Sequence, residues 1–333
     1  MFINQQALVT SMKQLKSCDL CGNKSFEFLF KGSDRRYKVK GKYFLYKCKK
    51  CGLIFINPQP NNKEISKHYP IGKYYSFKKK DQSKLKKLLY KIYYQKNDAW
   101  FLKLLFLPVK PLLRTTKNVI SGKFLDVGCG VGNFLLLMKS FNMDCYGVEI
   151  GAFNRKFAKQ NKLNIFKGHL KDAHYPNEYF DVITLNHVFE HISNPTETLK
   201  ELYRIIKPKG TLIMGAPQSE CLDYKLFGKY WVGLDVPRHL FTYSTVILKR
   251  YAKKIGFKVE KIRYNSTPFQ FLCSLLYWIN KYKKRPIYLT NKNFSQSKLL
   301  FLLFLPMSCL CNFFKIGDQV EIILTKLEED KER

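Results

Sequence analysis

Three groups of residues in this chain have the types and spacing to do chemistry. The first is Asp126-Val127-Gly128-Cys129-Gly130-Val131-Gly132, which closes a short apolar run from Lys123 and opens the stretch Leu135 to Met138. The pattern reads as a strand, a tight glycine turn and a helix start, a junction at which backbone can approach a ligand closely. Gly128, Gly130 and Gly132 leave space where a nucleotide-like ligand lies against the main chain. The spacing is Gly-x-Gly-x-Gly, whereas the dinucleotide fingerprint is Gly-x-Gly-x-x-Gly, with its third glycine under a pyrophosphate. Asp126 beside the turn repels a pyrophosphate and suits a ligand carrying an ammonium and a sulfonium. One strand–helix–strand unit further on, the run 144–148 ends at Glu149, whose carboxylate can accept both hydroxyls of a ribose.

The second group is a pair of Cys-x-x-Cys knuckles, Cys18/Cys21 and Cys48/Cys51, each followed by glycine. Four thiolates around one ion match a closed tetrahedral zinc site, and the alternating aromatic residues between the pairs suit ribbon strands. A redox role fits less well, because redox pairs sit at a strand-to-helix junction. The other six cysteines read as small buried hydrophobes.

The third group supplies bases. His187, Glu190 and His191 follow a predicted strand within the run 178–191, on the carboxyl side where ligands of open α/β sheets bind. A short helix would put His187 and His191 on one side, which also suits a metal, although no third ligand is evident. The loop Trp231 to Thr242 holds Arg238, suited to a phosphate or carboxylate, and His239, the first choice for a base. A structural loop pinned by its tryptophan and leucines is the competing reading.

Taken together, the glycine turn, Glu149, the run Asn164 to Leu170, Phe180-Asp181-Val182, Glu190-His191 and the turn Lys207-Pro208-Lys209-Gly210 resemble the class I S-adenosylmethionine (SAM)-dependent methyltransferases over about 123–264. The resemblance implies a Rossmann-like seven-stranded sheet with helices on both faces, preceded by a small β zinc ribbon. It implies SAM contacts from Asp126, Gly128, Gly130, Gly132, Glu149, Ile150, His169, Leu170 and Asn186. The ribbon, Gly52 to Pro60 and the tyrosine-rich 69–77 resemble a bacterial subgroup similar to sugar C-methyltransferases and to surface-polysaccharide-pathway enzymes. Those sugar enzymes are longer and carry a further carboxy-terminal domain.

Positioning these groups calls for a zinc ribbon at 15–60, a helical linker or cap at 61–118, and a methyltransferase domain at 119–333. Leu88, Leu89, Ile92 and Tyr93 give the linker a helical stripe before Pro108 and Pro111. The 16-residue run 299–314, flanked by Lys298 and Lys315, falls short of the ~20 apolar residues a spanning helix needs, and Pro306 should break it. It reads as part of a helical insertion at about 268–316 packed on the sheet, or as an interfacial helix beside anionic lipid. The segment 317–325 should supply a last, antiparallel edge strand.

The net charge of +34 has the size of a nucleic-acid footprint, but lysine outnumbers arginine 49 to 10, and bidentate phosphate or base readout favours arginine. Residues 1–17 lack a signal-peptide pattern, so the expected setting is the reducing cytoplasm, with peripheral membrane contact as the variant reading. The expected activity is methyl transfer to a small-molecule or glycan acceptor. The alternative is a zinc-ribbon nucleic-acid-binding protein or RNA methyltransferase. Against base N-methylation, residues 186–189 read Asn-His-Val-Phe rather than Asn/Asp-Pro-Pro-aromatic.

Overall fold

Seven strands build the central sheet of the protein, seen in a computed structural model that describes residues 12–70, 84–94, 100–116, 122–151, 155–283 and 298–328. In chain order the strands are β1 Met12–Lys13, β2 Phe26–Gly32, β3 Tyr43–Cys48, β4 Ile54–Ile56, β5 Gln59–Pro60, β6 Lys123–Val127, β7 Asp144–Glu149, β8 Asn164–Lys167, β9 Phe180–Asn186, β10 Ile206–Pro217, β11 Phe241–Thr242, β12 Phe257–Tyr264 and β13 Gln319–Lys326. The helices of eight or more residues are α1 Lys84–Tyr94, α2 Pro195–Ile205, α3 Thr245–Ile255, α4 Pro268–Ile279 and α5 Lys298–Phe313; a shorter one, Asn133–Lys139, follows the glycine turn.

The large sheet runs β12-β13-β10-β9-β6-β7-β8, parallel from β10 to β8 and antiparallel at β13. Its central strands are apolar on both sides, as parallel strands covered by helices must be. Leu125, Ile183 and Leu212 face α2 and α3 through Leu199, Leu202, Ile247 and Tyr251, while Phe124 and Val182 face α1 and the helix 133–139 through Tyr90, Phe134 and Leu135. Two expectations need correction. The strand at 319–326 is not the edge, because β12 pairs outside it. Lys207–Gly210 is not a separate turn but an irregularity inside β10, where the register shifts between Ile206 and Thr211.

A second sheet, ordered β11-β4-β3-β2, forms the ribbon. Its outer strand β11 comes from the far end of the sequence, with Phe241 opposite Phe55 and Thr242 opposite Ile54. Asp19, inside the first knuckle, accepts hydrogen bonds from Thr196 Oγ1 at 2.6 Å and Tyr251 Oη at 2.9 Å, tying that knuckle to α2 and α3. Ribbon and large sheet therefore share one core, in which Leu53 and Phe55 pack with Leu240 and Tyr243.

α4 and α5 lie between β12 and β13. Phe271 stacks on Phe304 at 5.4 Å, and Ser274 Oγ accepts the Val232 N–H at 3.0 Å, so α4 braces the loop before β11. Contrary to expectation, Pro306 does not end α5, which runs through it. Among the described residues no helix is long and apolar enough to cross a membrane. Of the tyrosine-rich run only Tyr69 and Pro70 are described; residues 71–83, 117–121 and 284–297, on which parts of the linker and insertion readings fall, lie outside the described residues.

Candidate functional site

The carboxyl ends of β6, β7 and β9 converge on the glycine turn. Gly128, Gly130 and Gly132 all take left-handed φ values, 70°, 58° and 84°. They do different work. A Cβ at Gly128 would lie 2.3 Å from Val188 Cγ2, and one at Gly132 would lie 2.6 Å from Leu163 Cδ1, so these two permit packing rather than ligand approach. Gly130 donates its N–H to Glu149 Oε2 at 2.8 Å, and Gly151 donates to Oε1 at 2.7 Å. Glu149 thus grips the turn from the end of β7, and each oxygen keeps a lone pair for a ribose hydroxyl. Ile150 is 60% exposed beside it. Leu170 is buried, His169 is exposed, and Asn186 ends β9 with its side chain over Gly215. The arrangement fits the donor expected from the sequence at the turn, at Glu149 and at the Ile150 surface.

Asp126 is different. The acid expected to meet the ligand's cationic groups is fully buried and accepts from Arg114 Nη2 at 2.8 Å and Thr184 Oγ1 at 2.6 Å. Arg114 also covers the ring of Phe134 at 4.0 Å. The charge of Asp126 is met inside the protein, so its effect on a ligand is indirect.

The second convergence lies after β9. His187 sits in the left-handed region at φ 55°, not on a helix with His191, and donates its N–H to Gly215 O at 2.8 Å. Glu190 is fully buried, and neither carboxylate oxygen has a hydrogen-bond partner. Around it stand His187 Nδ1 at 3.4 Å and His239 Nε2 at 3.8 Å, with the His191 and His239 rings 4.7 Å apart. Burial would raise Glu190, but the three histidines outweigh it and hold the carboxyl below its usual range. Burial pushes His239 down to about 4, with His191 adding to the fall and Glu190 opposing it. All four expected catalytic residues meet here.

Arg238, expected to grip an anionic acceptor, does not face one. It is 1% exposed, and its guanidinium is occupied by Asp235 at 2.6 and 2.8 Å and by Asp34 at 2.8 and 3.2 Å. Asp34 in turn accepts from His68 at 2.8 Å, and His68 meets Tyr43 Oη at 2.8 Å. This buried chain locks the loop 231–242 to the ribbon, while Trp231, 1% exposed, ties the loop to the large sheet by donating to Asp318 just before β13. Ser244 caps α3 by accepting from the Ile247 N–H. Sequence spacing gave no sign of Asp34 or His68, which pair with each other and with Arg238 across 34 and 204 residues, nor of Arg114, twelve residues before Asp126. Tyr69, whose hydroxyl lies 3.2 Å from His191 Nδ1, was visible only as one tyrosine among several.

The four knuckle cysteines come together, one sulfur from each lying within 4.8 Å of the rest. Cys18 and Cys51 sulfurs are 3.5 Å apart, and those of Cys21 and Cys48 are 3.6 Å apart. A zinc tetrahedron with bonds of about 2.3 Å has edges of about 3.8 Å, so the donor set fits. The knuckles match each other: Gly22 N–H donates to Cys18 O at 2.8 Å, and Gly52 N–H to Cys48 O at 2.9 Å.

Among known proteins, a family model described as a methyltransferase domain matches residues 94–262. An uncharacterised protein of Methanocaldococcus jannaschii is 31% identical over 133 residues, 38% of this chain and 57% of that one. A ubiquinone biosynthesis O-methyltransferase of Nitrosospira multiformis is 28% identical over 158 residues, 43% of this chain and 66% of that one. The aligned stretches thus span less than two thirds of these relatives' own lengths. A SAM-dependent methyltransferase structure from Thermotoga maritima aligns with 68% of this chain and 92% of its own, at 22% identity and a TM-score of 0.42.

Proposed function

The chain belongs to that methyltransferase-domain family, and from this premise we propose that it transfers a methyl group from SAM to a small-molecule or glycan acceptor seated over Glu190, His191 and His239. The domain itself is a SAM-dependent methyltransferase domain. The observation that carries the acceptor reading is enclosure: Glu190 is fully buried and His239 11% exposed, beneath a loop fastened by Arg238 and Trp231. A site of that depth suits a compact acceptor better than an open nucleic-acid groove.

SAM supplies a methyl group on a sulfonium, already a strong electrophile. The protein's own part is alignment and care of the acceptor. Glu149, Gly130 and Ile150 hold the nucleoside side; the histidine and glutamate cluster holds the reacting oxygen, nitrogen or carbon of the acceptor. Cys18, Cys21, Cys48 and Cys51 hold one structural zinc, which fixes the ribbon and, through β11, the acceptor loop.

We place the protein in the cytoplasm, attached at times to anionic membrane. Support comes from α5, where Leu299, Leu303 and Phe313 are 78%, 67% and 78% exposed, with exposed Lys315 and Lys281 nearby. Flotation with anionic and neutral vesicles tests this.

For the activity, SAM binding is measured by calorimetry and labelled methyl groups are followed from SAM into fractionated cell extract. Label in nuclease-resistant small molecules or glycans is expected. Label confined to RNA, with salt-sensitive RNA gel shifts, would replace this acceptor reading. Absence of SAM binding would remove the methyltransferase reading itself.

A further inference from the structure

We propose that Glu190, His191 and His239 hold a divalent cation of their own, apart from the cysteine site, and that this cation seats an oxygen atom of the acceptor. The proposal rests on the reading of this cluster as the acceptor side of a methyltransferase.

The donor set is present. One ligand atom from each of the three residues lies within 4.8 Å of the other two. Two imidazoles and a carboxylate suit borderline and hard divalent ions such as manganese, iron, cobalt or zinc.

The rings are also held in the required form. His239 Nδ1 lies 2.7 Å from Gly233 O, and His191 Nδ1 lies 2.8 Å from Arg238 O. A carbonyl only accepts, so each Nδ1 carries the hydrogen and each Nε2 keeps a lone pair. Metal-binding histidines characteristically donate their other N–H to a backbone carbonyl in this way, which fixes both tautomer and ring angle. Here both carbonyls belong to the loop 231–242 that Arg238 and Trp231 fasten.

Glu190 is the independent observation. It is fully buried, and both its oxygens lack a hydrogen-bond donor. Buried polar groups are almost always paired, and a buried carboxylate without donors is costly. The His187 ring stands 3.4 Å from Oε1 but is 37% exposed, at the mouth of the cluster. A cation between the carboxylate and the two inner rings removes the deficit and leaves its open side toward His187, where an acceptor oxygen can enter.

Manganese(II) tests this without confusion from the cysteines, because thiolates select softer ions. Full-length protein is titrated with Mn²⁺ while the spectrum of the free ion is followed by electron paramagnetic resonance. One Mn²⁺ per chain is expected, with affinity at least about tenfold weaker in Glu190→Gln and in His191→Asn, the losses seen when a metal ligand's support or the ligand itself is removed. SAM affinity of both variants, measured by calorimetry, should stay within a few-fold and so reports that they are folded. In the unmutated protein, substoichiometric Mn²⁺ should broaden ring signals of the cluster histidines while that of exposed His174 stays sharp. No Mn²⁺ binding by the unmutated protein, or equal binding by folded variants, would overturn the proposal while leaving SAM-dependent transfer intact. Absence of SAM binding would instead strike the methyltransferase reading and leave the cation result to stand by itself.

Discussion

Arg114 reaches across to Asp126 at 2.8 Å, so the acid of the glycine turn is neutralised by a residue twelve positions earlier in the chain. Thr184 on the next strand completes the arrangement at 2.6 Å. The pair is a structural joint beneath the cofactor turn.

The first prediction follows from it. Asp126→Ala takes the buried acceptor away from Thr184 and from Arg114, whose side chain is 26% exposed, and should destabilise the protein by ~1–3 kcal/mol, the range for donors left unsatisfied. Any loss of SAM binding should therefore appear together with a lower unfolding midpoint in urea. Gly130→Val is the cleaner probe of the ligand, because it strains φ at 58° in the residue whose N–H meets Glu149. Its SAM affinity should fall by more than tenfold with a smaller loss of stability than Asp126→Ala. Unchanged SAM affinity in Gly130→Val would refute the assignment of the turn.

A second prediction concerns the cysteines. After treatment with a mild chelator, one zinc per chain should remain, since a four-thiolate site is closed and its binding is coupled to folding. Cys48→Ser should lose that zinc. Because Phe241 and Thr242 pair with β4 at the rim of the ribbon, the damage should reach the adjacent His239. Turnover should then drop while SAM affinity holds. A zinc-free wild-type protein with a protease-resistant ribbon would contradict this.

Asp223 and Asp318 give a pH prediction. Both are buried, and burial raises both carboxyls above their ordinary range, with the Asp318 charge adding to the rise at Asp223 and hydrogen bonds from Ser266 and Trp231 opposing it at Asp318. A raised native value means that the folded state binds more protons than the unfolded one. The stability this contributes is full below the ordinary carboxylate range and disappears as pH rises through the raised values. Wild-type Tm should decline between about pH 5 and about pH 8, and Asp223→Asn should flatten that decline and be the more stable protein at the upper end. Parallel profiles for the two proteins would show that Asp223 is not the source.

Much of the fold was legible because its signals are local. Apolar runs ending in Asp126 and Glu149 marked β6 and β7, and the run within 178–191 held β9. The knuckles announced their own geometry. What stayed hidden was long-range pairing of charged side chains. Arg238 has the same sequence appearance whether it binds an acceptor or two carboxylates, and Asp34 lies 204 residues away from it. Likewise, three glycines in one turn look equivalent, although a Cβ at Gly128 or Gly132 would meet Val188 or Leu163, while Gly130 gives its N–H to Glu149. The strand order of β12 and β13 depends on how the insertion between them folds back, which periodicity does not encode.

The last prediction separates the two histidines whose rings stand 3.4 and 3.8 Å from Glu190 Oε1. His239 is 11% exposed with its Nδ1 tied to Gly233 O, and its proposed acceptor role is tested apart from SAM binding. His239→Ala should keep SAM affinity within a few-fold and lower turnover by ~10²–10⁴, the range for groups that manage an acceptor's proton or charge. His187 lies nearer the end of β9, beside Asn186 and the glycine turn, and its φ of 55° is a conformation that asparagine tolerates and alanine resists. His187→Asn therefore removes the ring while retaining the backbone, and it should weaken SAM binding as well as turnover. Matched calorimetry and initial-rate measurements on the two variants decide the matter. If His239→Ala turns over normally with its true acceptor, the loop only shapes the pocket and transfer depends on alignment alone.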